Sequence, residues 1–97
     1  MITTLVVTAV PDPGEMAAVQ EYLAGVMPLL AGAGGTPVRR LKVGEVIHGN
    51  PSGMVLVMDF DSAEAITAMF ASDEYAALVP TRDRGFKEMN ILLTHGM

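Results

Sequence analysis

The sequence predicts an α+β fold of element order βαββαβ, a four-stranded antiparallel-rich sheet with both helices on one face, and three observations carry that prediction. Ile2–Val10 and Met54–Phe60 are apolar on both alternating parities, as strands in the middle of a covered sheet are. Thr36–His48 and Lys87–His95 carry charge, as edge strands that resist edge-to-edge association do. Each double-sided apolar segment is followed by a helix start, so two β-α-β crossovers set strands one and three in the middle of the sheet. The 97 residues fit a single domain, 1–97, with one core.

The elements follow in order. In the first strand Leu5 and Val7 share one side, and Ile2, Val6 and Val10 share the other. Asp12-Pro13-Gly14-Glu15 then gives a helix its N-cap, its first-turn proline and its capping-box glutamate. Met16, Val19, Leu23, Val26, Met27 and Leu30 recur at helical spacing, an apolar stripe suited to lie on a sheet. Pro28 is expected to kink this helix, and Gly32, Gly34 and Gly35 to end it. The second strand runs from Thr36 to His48 with Arg39, Arg40, Lys42 and Glu45 on it, and Gly49–Gly53 is a turn. After the third strand, Asp61-Ser62-Ala63-Glu64 repeats the capping logic before Ile66, Met69 and Phe70. Ser72 caps a further short helix, Asp73 to Val79, which Pro80 is expected to stop or kink. Lys87–His95 is the last strand.

This order leaves one sheet face without helices, so Ile2, Val6 and Val10, with the matching parity of strand three, meet water. A patch of that kind marks an interface. At about 25 cal/mol per Å², burying about 600 Å² of apolar surface per chain gives on the order of 15 kcal/mol of gross driving force, enough to survive the cost of association. The expected partner is a second copy of the chain, sheet to sheet. Composition agrees: 51% of residues are apolar and only 18% charged, where globular chains average about a quarter charged.

Charge and motifs narrow the function classes. A net charge of −5 argues against nucleic acid or an anionic membrane surface as the main partner. No apolar run approaches the roughly 20 residues that cross a bilayer, and no basic stretch precedes an apolar one as in a signal peptide, so a soluble, cytoplasmic chain is expected. The absence of cysteine removes disulfides, thiolate metal sites and a cysteine nucleophile. His48 and His95 stand on separate strands without metal-binding spacing, so no metal is expected. No Gly-rich phosphate fingerprint follows a strand, since Gly32-x-Gly34-Gly35 closes a helix, and no cofactor is expected.

The chain spends its scarce aromatic and basic residues unevenly. It has two tyrosines and six Lys+Arg, and the stretch Ser72–Arg84 holds Tyr75, Arg82 and Arg84. Tyr75 and Arg82 are seven apart, two turns along one face of an uninterrupted helix, with Pro80 between them. A hydroxyl and a guanidinium aimed at one cleft would bind a carboxylate or an enolate. The competing reading packs Tyr75 at the helix rim and pairs Arg82 with Glu74, Asp83 or Asp73. If the Leu41 parity of strand two packs under the helices, Arg40 and His48 face the dimer partner, and Glu45 stands among apolar neighbours where desolvation tunes a general base. A salt bridge from Glu45 to Arg39 is the alternative. His48, at the strand's end, is the other candidate base.

Taken together, Tyr22, Gly34-Gly35, Arg40, Glu45, Phe60-x-Ser62-x-Glu64-Ala65, Ser72-x-Glu74-Tyr75 and Arg82 resemble the domain of unknown function 1330 family, within the dimeric α/β-barrel superfamily, across nearly the whole chain. The resemblance implies a ferredoxin-like fold, a dimer whose sheets face each other, and a cleft between sheet and helices in each subunit. It also implies relatives that include cofactor-free oxygenases, isomerases and proteins without established activity. Thr36 and Met54 depart from it where family members often carry arginine, and Pro80 is unusual in the short helix. The ligand-binding set expected for the cleft is therefore Tyr22, Glu45, Tyr75 and Arg82, with Glu45 or His48 as base if the protein is an enzyme. A non-catalytic interaction module is the competing class.

Overall fold

The computed structural model describes residues 2–50 and 53–97. Its elements are β1 (Thr3–Pro11), a 3-10 turn (Pro13–Glu15), α1 (Met16–Gly32), β2 (Thr36–Lys42), β3 (Met54–Phe60), α2 (Ala63–Phe70), α3 (Asp73–Ala76), α4 (Val79–Gly85) and β4 (Phe86–Thr94). The sheet order is β2-β3-β1-β4 and every neighbouring pair is antiparallel. The two strands that are apolar on both parities hold the centre, and the charged strands hold the edges. None of the described helices is long and apolar enough to cross a membrane.

One sheet face and the helices enclose the core. Leu5 and Ala9 of β1 and Leu56, Met58 and Phe60 of β3 are buried there against Val19, Tyr22, Val26 and Leu30 of α1 and Ile66 and Met69 of α2. Met16, expected on the apolar stripe of α1, is the helix's first residue and is 46% exposed. The side-chain caps form at Asp12, Ser62 and Ser72, but Asp12 caps the 3-10 turn, while Glu15, the N-cap of α1, makes no side-chain cap bond and pairs with Arg84 instead of closing a capping box. Asp12 accepts from the Gly14 amide at 2.9 Å, Ser62 from Ala65 at 3.2 Å and Ser72 from Tyr75 at 3.2 Å. Pro28 lies inside α1 on an exposed side, and the helix runs on to Gly32. Gly34 then takes a φ of +92°, the left-handed conformation that closes helices.

Two expectations for the second strand are corrected. β2 ends at Lys42, not His48. β3 offers only seven residues to pair with, and among the described residues between the two strands the backbone bonds run from the Val43 amide to the Gly53 carbonyl and from the Gly53 amide to the Ala9 carbonyl, each at 2.9 Å. Glu45 and His48 consequently lie on an exposed loop, and Pro51 and Ser52 of the expected turn fall outside the described residues. The parity is also reversed from the one that would place Leu41 under the helices. The register passes from Pro37↔Met58 to Arg39↔Val57, so Val38 is an extra residue and the strand changes sides there. Arg40 and Lys42 then share the helix side with Leu56 and Met54, while Arg39 and Leu41 share the open face with Val57 and Val55.

Pro80 neither stops nor kinks one helix; it divides two. Without an amide hydrogen it cannot continue the i→i−4 ladder, so α3 closes with Leu78 N–H bonding to Tyr75 at 2.8 Å and α4 restarts with Pro80 in its first turn. At the far end of α4, Gly85 lies against α1. A Cβ built there would stand 3.0 Å from the Val19 nitrogen and 3.1 Å from the Ala18 carbonyl carbon. Both are helix backbone and have little room to give. Gly85→Ala is expected to lower stability by about 1–3 kcal/mol in urea unfolding, the cost of forcing volume into a packed contact; an unchanged midpoint would show that α1 and α4 slide freely.

Candidate functional site

Tyr22, Tyr75 and Arg82 meet although they come from three helices. Tyr22 lies on the buried stripe of α1, four residues after Ala18 and four before Val26. Tyr75 sits in the single turn of α3 that Ser72 caps, and Arg82 in the middle of α4. The two tyrosine hydroxyls are 2.9 Å apart, and Arg82 Nη1 donates to Tyr75 Oη at 3.1 Å. The guanidinium carbon is 5.9 Å from the centre of the Tyr75 ring. Edge-to-face contacts with Phe86 at 5.5 Å from Tyr22 and Phe70 at 4.8 Å from Tyr75 hold both rings in place.

The hydrogen-bond inventory fixes what this arrangement offers. Tyr22 is 3% exposed, and Tyr75 Oη is its hydroxyl's partner among the described residues. Burial, and then the bond with Tyr75, raise the Tyr22 pKa well above the ordinary tyrosine value, with Arg82 opposing the shift, so Tyr22 stays a neutral phenol. A buried hydroxyl with one neighbour donates to it rather than waste its hydrogen. Tyr75 Oη thereby accepts from both Tyr22 and Arg82, and its own hydrogen is left for a ligand. Arg82, whose pKa is raised first by its bond to Tyr75, also binds Asp83 through Nε at 3.1 Å, with Nη2 3.1 Å from the same oxygen. Its remaining Nη hydrogens are free. On the side away from the Asp83 carboxylate, the groups left over are donors, complementary to an anion or a carbonyl oxygen.

The space beside these donors differs from the expected cleft between sheet and helices. That interior encloses about 30 Å³ behind Met27, Leu30 and Leu56, against the roughly 300 Å³ or more of ordinary ligand sites. Tyr75 and Arg82 instead border an open groove of about 480 Å³ between α2 and β4, floored by Ile66, Phe70, Ile91 and Leu93. Arg82 pairs with Asp83, one of the partners expected for it, and also donates to Tyr75, which is buried and not at the helix rim.

Glu45 and His48 do not join the group. They are exposed on the loop after β2, at the sheet edge opposite β4. The ion pairs among the described residues are Arg82–Asp83 and Arg84–Glu15, so Glu45 is not bridged to Arg39. Sequence reasoning missed Phe86, which is 6% exposed and begins β4 one residue before the expected start. Its signal was an aromatic residue immediately after Gly85, at the junction where α4 must fold back onto the sheet.

Comparison with known proteins places the chain. A family model described as domain of unknown function DUF1330 matches residues 3–97. Among solved structures, the chain is similar to a protein of unknown function from Rhodopseudomonas palustris, at 14% identity over 99% of this chain and 82% of that one, with a TM-score of 0.83. It is similar to a dimeric protein of unknown function and ferredoxin-like fold from Bacteroides fragilis, at 9% identity over 98% and 96%, with a TM-score of 0.63. It is also similar to a nipsnap family protein with unknown function from Agrobacterium tumefaciens, at 14% identity over 96% and 86%, with a TM-score of 0.66. Likeness at these identities shows the fold alone. No curated protein matches the chain in sequence.

Proposed function

We propose that this chain, which belongs to the DUF1330 family, is a homodimeric protein that binds a small apolar carboxylate in the groove between α2 and β4. The observation that carries the reading is the donor set at the head of that groove: Arg82 on Tyr75 at 3.1 Å, and Tyr75 on Tyr22 at 2.9 Å. A carboxylate takes the free guanidinium hydrogens as a charge-assisted pair and the Tyr75 hydroxyl as a third donor. The apolar body of the ligand lies along Phe70, Ile91 and Leu93. Dimerisation is supported by the unpartnered sheet face and by the fold shared with a protein described as dimeric.

Binding is proposed rather than turnover. A cofactor-independent oxygenase or isomerase needs a free base beside the developing anion; among the described residues no Asp, Glu or His lines this groove, and the nearby Asp83 carboxylate is engaged by Arg82. The second reading, a non-catalytic interaction module, is favoured by the filled interior. A thermal-shift screen of aromatic and aliphatic carboxylates separates the two. An acid that binds the native state raises the wild-type midpoint by mass action, and Arg82→Gln is expected to abolish the rise. Equal shifts in both proteins, or none in either, would reject the groove as a carboxylate site and leave the module.

A further inference from the structure

We infer a second anion site at the opposite edge of the sheet, in the groove between α1 and the β2–β3 hairpin, that takes an amphipathic anion with an alkyl body. It is independent of the Tyr75–Arg82 groove. The bulge at Val38 turns Arg40 and Lys42 to the helix side of β2, opposite Leu56 and Met54, while α1 stops short of covering that strand: every residue of β2 is exposed. Between them lies a groove of about 380 Å³ lined by Leu23 and Met27 of α1, Met54 and Leu56 of β3, and the two cations. A neighbouring hollow of about 530 Å³ shares Leu23, Lys42 and Met54 and extends the groove toward Pro11 and Met16. The interior void of about 30 Å³ shares Leu23, Met27, Met54 and Leu56 with the groove, so these side chains, two of them adaptable methionines, stand between groove and core.

The charge pattern points to the occupant. The chain has 11 Asp+Glu against 6 Lys+Arg, yet no acidic residue lines either hollow. Arg40 and Lys42 belong to neither ion pair among the described residues. Two cations without counter-ions at the rim of an apolar trough match a carboxylate or phosphate head, which a guanidinium holds by a fork and an ammonium as a point charge. The trough, lined by aliphatic and thioether groups, matches a hydrocarbon body of medium length.

Protein labelled with 13C at its methionine methyls is titrated with decanoate, decyl phosphate and decanol below their aggregation concentrations. Saturable shifts of the Met27 and Met54 methyls with decanoate or decyl phosphate are expected, the tighter of the two identifying the head group. In the double variant Arg40→Gln/Lys42→Gln the dissociation constant should rise at least tenfold, and in Arg82→Gln it should stay within twofold. Both substituted side chains of the double variant are exposed, so folding is retained. Unmoved Met27 and Met54 methyls, decanol binding as well as the anions, or an unchanged constant in the double variant would each overturn the site. Weakening by Arg82→Gln alone would assign the ligand to the other groove.

Discussion

Val57→Arg is expected to leave the protein monomeric and folded. Val57 stands on the sheet face without helices, directly opposite Val6, which in turn faces Leu92 of β4. Leu41 and Leu92 on this face are 48% and 49% exposed. Polar pairs border the apolar centre, Thr4 Oγ1 donating to Asp59 at 2.7 Å and Asn90 to Thr8 at 3.2 Å. A two-fold axis sets such a patch against its own copy, so one substitution introduces two guanidiniums into one interface. Each also stands beside Arg39, its register partner on β2. Removing an uncompensated charge from water costs several kcal/mol, and the cost is met twice while the apolar gain is lost. The fold survives because the core is packed by the alternate residues, Leu56 and Met58. Sedimentation velocity at about ten micromolar should give a dimer for the wild type and a monomer for the variant, with unchanged far-ultraviolet dichroism. A monomeric wild type, or a variant that stays dimeric, would remove the sheet face as the interface.

The same strands show why parts of the fold can be read from sequence and parts cannot. The order of the sheet is legible because β1 and β3 carry apolar residues on both parities while β2 and β4 carry charge. Helix starts are legible because Asp12, Ser62 and Ser72 each bond an amide two or three residues on, an interaction local to the chain. The side changed at Val38 is not local. It is defined by pairing with β3, and Pro37 beside it, a residue that strands tolerate at edges and bulges, marks a place without fixing which parity follows. The end of β2 has the same cause, and with it the exposure of Glu45 and His48. Tyr22, Tyr75 and Arg82 were legible as candidates by residue type, but their contact depends on Pro80 resetting the chain between α3 and α4. An unbroken helix would have supplied the same spacing by a different path.

Stability is expected to fall by about 1.4 kcal/mol for each pH unit above about pH 10, and Tyr22→Phe is expected to remove that slope. Burial first, then the Tyr75 bond, hold the Tyr22 pKa above its ordinary value in the folded protein. In the unfolded chain the phenol ionises near pH 10. Below that pH both states keep the proton and the full stability is present. Above it the unfolded chain releases a proton that the native state retains, fewer protons are bound on unfolding, and the slope is negative until the folded pKa is reached. By pH 12 the loss from the neutral-pH value amounts to about 2.7 kcal/mol. At neutral pH Tyr22→Phe should cost only about 0.5–1.5 kcal/mol, because Tyr75 keeps its bond from Arg82. The variant therefore starts less stable and becomes the more stable protein at high pH. Urea unfolding of both proteins across this range reads the difference directly. Parallel curves would mean that Tyr22 ionises as freely in the folded state as in the unfolded chain. In that case its hydroxyl would not be the fixed donor to Tyr75, and the hydrogen that Tyr75 turns toward the groove would lose its physical basis.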